Sequence, residues 1–391
     1  MIDDLHCHYA MHLLPDDRHP HRRTESWLER VRHDIEADLT GLAARLLNNR
    51  DWGSGWRVDL DGLRRGGAGV VCSVLYWPAA ELDFDTGYGS DPEAGYFTAL
   101  QHQLEAVEAD LRRLDPDGER HVAVRRAADL DDDSRVRFVP CVEGGFHLGG
   151  EEDRIDENVR WLADRGVAYV TLAHLFFRGV APNAPALPLL SDAEYDRWFR
   201  QRKDIGLTPL GRAAVRAMHR HKVMVDISHM RRDAVDETFE LLAELDRDAG
   251  AAARDLPVIA SHVGMRAAAP TEQAYNLTPE IVRRITERDG VIGLIFAQHQ
   301  LGATRTEEES RAALNRHIEA IAQAADGHAH TAIGSDLDGF IKPTLSGVER
   351  AADLAKVEEW IRGDHPADAD AILWGNARRV VRQALRAREG R

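Results

Sequence analysis

The chain has 391 residues, 43% of them hydrophobic and 30% charged, with a formal net charge of −16. That apolar content supports a large buried core and excludes a disordered chain, while an acidic balance with no dense Lys/Arg cluster excludes a phosphate-tracking, nucleic-acid-binding surface. Cys7, Cys72 and Cys141 are too few and too scattered for a disulfide framework or a thiolate zinc cluster.

Short apolar, β-rich runs recur along the chain at Ile2–Leu5, Gly69–Tyr76, Arg137–Val142, Ala168–Leu172, Val223–Ile227, Pro257–Ala260, Gly290–Ile295 and Thr331–Ile333. They are continuous rather than alternating, the pattern of strands buried on both faces. Helical periodicity fills the stretches Glu151–Arg165, Thr208–His221, Arg232–Leu245, Pro279–Arg288 and Glu307–Ala325. "LTPLGRAAV" and "NLTPEIVRRI" each place Thr before Pro, an N-cap followed by a pre-set first helical position. Strands alternating with helices fit a (β/α)8 TIM barrel or a doubly wound open sheet. No repeat, low-complexity tract or linker divides residues 1–391, which read as a single barrel domain. The Pro-rich excursion 176–206 would sit over the barrel mouth as a lid. The N-terminal "MIDDLHCHYAMHLLPDD" has no basic leader, and no window reaches about 18 uninterrupted apolar residues. A cytoplasmic location without a membrane partner is expected.

The strand ends decide between the two architectures. They read "DLHCH" with His6 and His8, "CVEGG" with Glu143, "TLAH" with His174, "VDISH" with His229, "VIASH" with His262, and "AIGSD" with Asp336. Any one of these alone reads as a cap, a turn residue or a core histidine. Together they place ligand-type side chains at the C-terminal ends of strands, the face where barrel active sites form. The expected architecture is therefore a TIM barrel of the metal-dependent hydrolase type. His6 and His8 share a face because alternate strand residues do, which turns Cys7 to the other side and into the core. Four imidazoles and two carboxylates suit two zinc ions, with other divalent metals able to take their place. Glu143 is the natural bridge between them. A water on the metals would ionise near neutral pH and attack a carbonyl, with Asp336 touching a metal and accepting the proton. His174 is left as a donor to the tetrahedral oxyanion. Asp338 reads as a loop hydrogen-bonding residue, and His12, His19, His21 and His33 as surface.

Several of these stretches resemble the renal-type (membrane) dipeptidases, peptidase family M19 of the amidohydrolase superfamily. They are "LRRGGAGVVCSVLY", "VEGG", "GLTPLGRAAVRAMHRHKVMVDISHM", "LPVIASHVGMRA", "NLTPEIVRRITERDGVIGLIF" and "AIGSDLDG", in the family's order. The resemblance implies a barrel with a binuclear zinc site, a homodimer, and hydrolysis of a dipeptide or dipeptide-like amide. Carried over, His6 matches the first ligand, Glu143 the bridging carboxylate, and His229 and His262 the ligands of the second metal. Asp336 matches the aspartate of the last strand, and His174 the histidine that contacts substrate.

Two positions depart from the family pattern. The first motif typically reads His-x-Asp; here His6-Cys7-His8 replaces a carboxylate by a neutral imidazole, which raises the site's charge by one and should lower the bound water's pKa. Dipeptidases of this family carry an Arg before the Asn that matches Asn276, where it grips the substrate carboxylate. Tyr275 stands there instead, and a guanidinium–carboxylate clamp contributes roughly 1.5–3 kcal/mol. Arg266 or Arg178 are candidate substitutes among the substrate-binding residues. The alternative is a superfamily enzyme acting on a non-peptide amide, cyclic amide or lactone; a non-catalytic metal-binding barrel is the third reading.

Overall fold

In the computed structural model, described for residues 1–13, 56–82, 88–93, 95–188, 190–250 and 256–390, the continuous apolar runs become strands. They are β1 (Ile2–Cys7), β2 (Ala68–Leu75), β3 (His121–Ala123), β4 (Val136–Glu143), β5 (Tyr169–Thr171), β6 (Met224–Asp226), β7 (Val258–Val263), β8 (Ile292–Leu294) and β9 (Thr331–Ile333). β2 and β4 are buried at every position. Parallel pairing runs β1–β2–β4–β5–β6–β7–β8–β9 and returns to β1, so eight strands close into a barrel. β3 lies outside the ring, paired with the N-terminal end of β4 while β5 pairs with its C-terminal end. β3 leaves no unbroken apolar run to read, because its three residues are only half-buried.

Period-two alternation along each strand separates two apolar clusters. Val70, Cys72, Val139, Cys141, Tyr169, Met224 and Ile259 fill the barrel interior. Their neighbours Val71, Phe138, Val142, Val170, Val225 and Ala260 pack outward among the helices. The C-terminal helix Asn376–Glu389 joins the interior cluster through Val380, Val381 and Leu385. Its Arg378 reaches Asp3 on β1 at 3.0 Å, which sets this helix across the N-terminal end of the barrel.

The expected helices form, and both Thr–Pro starts behave as read. Thr208 accepts the Gly211 N–H, and Thr278 that of Ile281. After β5 the excursion 176–206 carries a helix, Asp192–Trp198, begun by a Ser191–Glu194 capping box. Asn183 forms a bridge with Met230, and the Tyr195 hydroxyl donates to the Leu175 carbonyl at 2.6 Å. Among the described residues no helix is long and apolar enough to cross a membrane.

Candidate metal centre

Two residues beyond Cys141, Tyr169, Met224 and Ile259 come Glu143, Thr171, Asp226 and Ser261. The inward-facing positions thus turn polar in the last layer before the barrel mouth. His6 and His8 enter this layer from β1, with Cys7 buried between them. The main chain after β9 is tied to β1 by Asp336 N–H to His6 O, 2.8 Å, and His8 N–H to Leu337 O, 2.9 Å.

Six side chains converge on Glu143. His6 Nε2 and His262 Nε2 lie 3.3 and 3.4 Å from its Oε1, with His229 Nε2 at 3.7 Å. His8 Nε2 and His174 Nε2 lie 3.4 and 3.3 Å from its Oε2. Asp336 Oδ1 stands 2.9 Å from His8 Nε2 and 3.8 Å from His6 Nε2. Two compact ligand groups, His6/His8/Glu143 and Glu143/His174/His229, share that carboxylate. His229 and Asp336 both hold left-handed backbone conformations, φ 64° and 57°, at a cost of about 1–3 kcal/mol each. Gly339 lacks the Cβ that would collide with the Asp336 carboxylate.

His6 Nε2, both Glu143 oxygens, Asp336 Oδ1, His8 Nδ1 and His229 Nδ1 are buried without a hydrogen-bond partner. Such orphans cost roughly 1–3 kcal/mol apiece; a cation between His6 Nε2, the Glu143 oxygens and Asp336 Oδ1 removes that cost for those four atoms. The groups behind the cluster settle which lone pairs face it. The Tyr169 hydroxyl donates to the Leu5 carbonyl, and the Ser261 hydroxyl to Asp226 Oδ2, both at 2.6 Å. Each hydroxyl has then spent its proton and can only accept. His6 Nδ1, 3.0 Å from both oxygens, and His262 Nδ1, 2.7 Å from Ser261 Oγ, therefore carry hydrogens. In their neutral forms both rings turn an Nε2 lone pair toward Glu143, the orientation a metal ligand needs; with no cation present, burial lowers the His6 pKa but Glu143 outweighs it and favours a proton on that Nε2. Asp226 is saturated, accepting also from Thr171 Oγ1, Ser228 Oγ and the Ser228 and Ser261 N–H groups.

Charge follows the same logic. Burial, with His174 and His6 as positive neighbours, pushes His229 and His262 respectively well below the ordinary imidazole range, so both stay neutral. Burial opposes ionisation of Glu143, but His174 and His6 outweigh it and hold the carboxyl well below its usual range. His174 is the opposite case. Burial disfavours its charge, yet Glu143 and Glu81 raise it to about 9. Its Nδ1 lies 2.6 Å from Glu81 Oε2, which also accepts from the Tyr76 hydroxyl, while Glu81 Oε1 accepts from Phe176 N–H.

The substrate-side candidates do not assemble in the same way. Tyr275 packs its ring edge-on to His229 at 4.8 Å, and its hydroxyl donates to the His262 carbonyl. Arg178 is buried behind Glu81, donating Nε–H to its carbonyl at 2.6 Å. Arg266 turns to the Ala274 carbonyl, 3.3 Å, and to Glu272. Asp338 takes the Arg57 and Val58 N–H groups, the loop role its sequence position suggests. His12 falls in the short turn Tyr9–Leu13, and His19, His21 and His33 lie outside the described residues. Asp226, Ser261, Tyr169, Tyr76 and Glu81 were not singled out from the sequence. A signal existed for Ser261: "ISH" and "ASH" both put Ser directly before a strand-end His.

Residues 33–390 match the family model described as membrane dipeptidase (peptidase family M19). The chain belongs to that family. A solved dipeptidase of the same family, described as a metallopeptidase, superposes with a TM-score of 0.68 at 19% identity over 98% of each chain. A dipeptidase, tcpJ, of Claviceps purpurea is 24% identical over 341 residues, 83% of this chain and 69% of that protein. An uncharacterized protein in the pqqA 5′ region of Klebsiella pneumoniae is 29% identical over 45% of this chain; the match spans 60% of that relative's length. A metallopeptidase from Rhodobacter sphaeroides, solved with a phosphinate mimic of the dipeptide L-Ala-D-Ala, superposes with a TM-score of 0.67 at 19% identity over 98% of this chain and 99% of that one. At that identity the superposition speaks for the barrel.

Proposed function

We propose that this member of the M19 family is a binuclear, zinc-dependent hydrolase of a small amide, with a dipeptide or dipeptide-like compound as substrate. The observation that carries the reading is Glu143, shared by five imidazoles and left with both oxygens unpartnered in a buried site. His6, His8, Glu143, His229, His262 and Asp336 would hold the two ions, a nitrogen and oxygen donor set suited to zinc. When bound, the pair supplies Lewis acidity and lowers the pKa of water toward neutrality.

This chain's own groups do the rest. The Asp336 carboxylate faces the cluster and takes a proton. His174, held at Nδ1 by Glu81 and its pKa raised against burial by Glu143 and Glu81 in the metal-free site, presents Nε2–H where negative charge develops on the substrate oxygen. Tyr275 closes the His229 side with an aromatic edge rather than a cation. Residues 176–206 serve as the lid, pinned beside His229 by the Ala184 N–H bond to its carbonyl and beside Tyr275 by Asp192 on the Ala274 N–H. A homodimer goes with the family reading.

The tied-up Tyr275 hydroxyl favours a second reading, a substrate without a carboxylate at that position, such as a simple amide, lactam or lactone. Metal analysis coupled to a panel of L,L, L,D and dehydro dipeptides beside lactams and lactones separates the two. Turnover of any dipeptide at an ordinary enzymatic rate supports the first. Two bound metals with turnover only of lactams or lactones establishes the second, and no turnover at all removes both.

A further inference from the structure

A second group of metal-type side chains lies at the other end of the barrel. Glu319 is on the helix Glu307–Ala325, His328 is in the turn leading into β9, and His365 follows the helix Leu354–Asp364. β9 runs from this turn toward Asp336, so the group sits at the N-terminal ends of the strands, away from the cluster around Glu143. One ligand atom from each of the three lies within 4.8 Å of the others.

The hydrogen bonding favours a cation over a simple ion pair. His365 is buried, and its Nε2 lies 2.6 Å from Asn315 Oδ1. A carbonyl oxygen only accepts, so Nε2 carries the hydrogen and the lone pair is on Nδ1. That Nδ1 faces Glu319 Oε1 at 3.5 Å. Two ligands on one tetrahedral zinc, each about 2.0–2.1 Å from it, are separated by about 3.4 Å. His328 supplies the second imidazole, its ring 5.0 Å from that of His365 and inclined at 63°. His328 Nδ1 is buried with no hydrogen-bond partner, and the residue's carbonyl is fixed by Asn376 Nδ2 at 2.7 Å. An ion pair between His365 and Glu319 alone would leave that nitrogen orphaned.

We propose that Glu319, His328 and His365 form a peripheral site for one divalent transition ion of the zinc class, completed by water, that pins two helices to the turn before β9. Two imidazoles and one carboxylate select such an ion over magnesium or calcium. Asn315 is the positioning residue, holding His365 in the liganding tautomer.

The test is zinc content per chain of the full-length protein, equilibrated with zinc in a chelator buffer and measured by mass spectrometry. Wild type, Glu319→Gln and His328→Ala are compared, with thermal midpoints recorded as zinc is added. The wild type should hold one zinc more than either variant and gain a larger zinc-dependent rise in midpoint. Glu319→Gln, at a side chain 58% exposed, keeps the test valid if His328→Ala does not fold. Equal zinc content and equal midpoint shifts in wild type and Glu319→Gln would overturn the proposal. The difference between wild type and variant is read independently of how many ions the centre around Glu143 holds.

Discussion

Replacing Glu81 by Gln removes one charge behind His174 and preserves the side chain's shape. In the native site Glu81 accepts from His174 Nδ1, the Tyr76 hydroxyl and the Phe176 N–H, at 2.6, 2.6 and 2.7 Å. A glutamine has one accepting oxygen, so its amide NH2 must face at least one of these donors. His174, raised to about 9 by Glu143 and Glu81 against burial, sits about 2.5 units above the ordinary histidine value, or about 3 kcal/mol. Glu81 is one of two main sources, so its removal should lower the His174 pKa by about 1 unit. His174 works in its protonated form and is lost as pH rises through its pKa. The basic limb of kcat should therefore move down by about 1 unit, and kcat near neutrality should fall roughly 10- to 100-fold as the donor weakens. KM should move little, because the contact strengthens only as charge develops on the substrate. Cations held at Glu143 lower both limbs together and leave the difference. The assay is kcat and KM for a turned-over amide between pH 6 and 10, on protein verified as folded. An unchanged kcat and an unmoved basic limb would refute the reasoning.

Ser261→Ala removes the acceptor behind both His6 and His262; zinc affinity, measured by competition with a chromophoric chelator, should fall about 10- to 100-fold, and Ser261→Thr should restore most of it. Tyr275→Arg should raise kcat/KM for dipeptides about tenfold or more, the worth of a carboxylate clamp, whereas Tyr275→Phe should leave it within a few-fold; no gain from Arg places the carboxylate elsewhere. His317 accepts the Met265 N–H at Nδ1, which leaves Nε2–H for the Leu301 carbonyl, and burial depresses its pKa to about 4. Between about pH 6.5 and 4 the unfolded chain binds the extra proton, so stability present above 6.5 is lost as pH falls, up to about 3 kcal/mol from this residue. Urea titrations at pH 7 and pH 4.5 should show that loss in the wild type and a smaller one in His317→Gln.

The barrel was legible because parallel strands buried on both faces leave unbroken runs such as "AGVVCSVL", and because His6, His8, Glu143, His174, His229, His262 and Asp336 all follow such runs directly. What the sequence could not show was how polar atoms are shared across strands. Asp226, Thr171 and Ser261 come from three strands, and their hydrogen bonds exist only once the ring closes. Glu81 lies in "YWPAAE", 93 positions before the His174 it orients, with no spacing rule to link them. Tyr275 reads in the sequence as a replacement for the Arg that the family resemblance implies. Its hydroxyl bond to the His262 carbonyl needed the fold.

The central claim is two metal ions bridged by one carboxylate. Anomalous diffraction at the zinc edge, on crystals grown with zinc, tests it most directly. The account predicts two strong peaks flanking Glu143, each within about 2.0–2.2 Å of one of its oxygens, one beside His6 and His8 and the other beside His229 and His262. A single peak with Glu143 unligated, or no peak among these residues in zinc-replete protein, would contradict it.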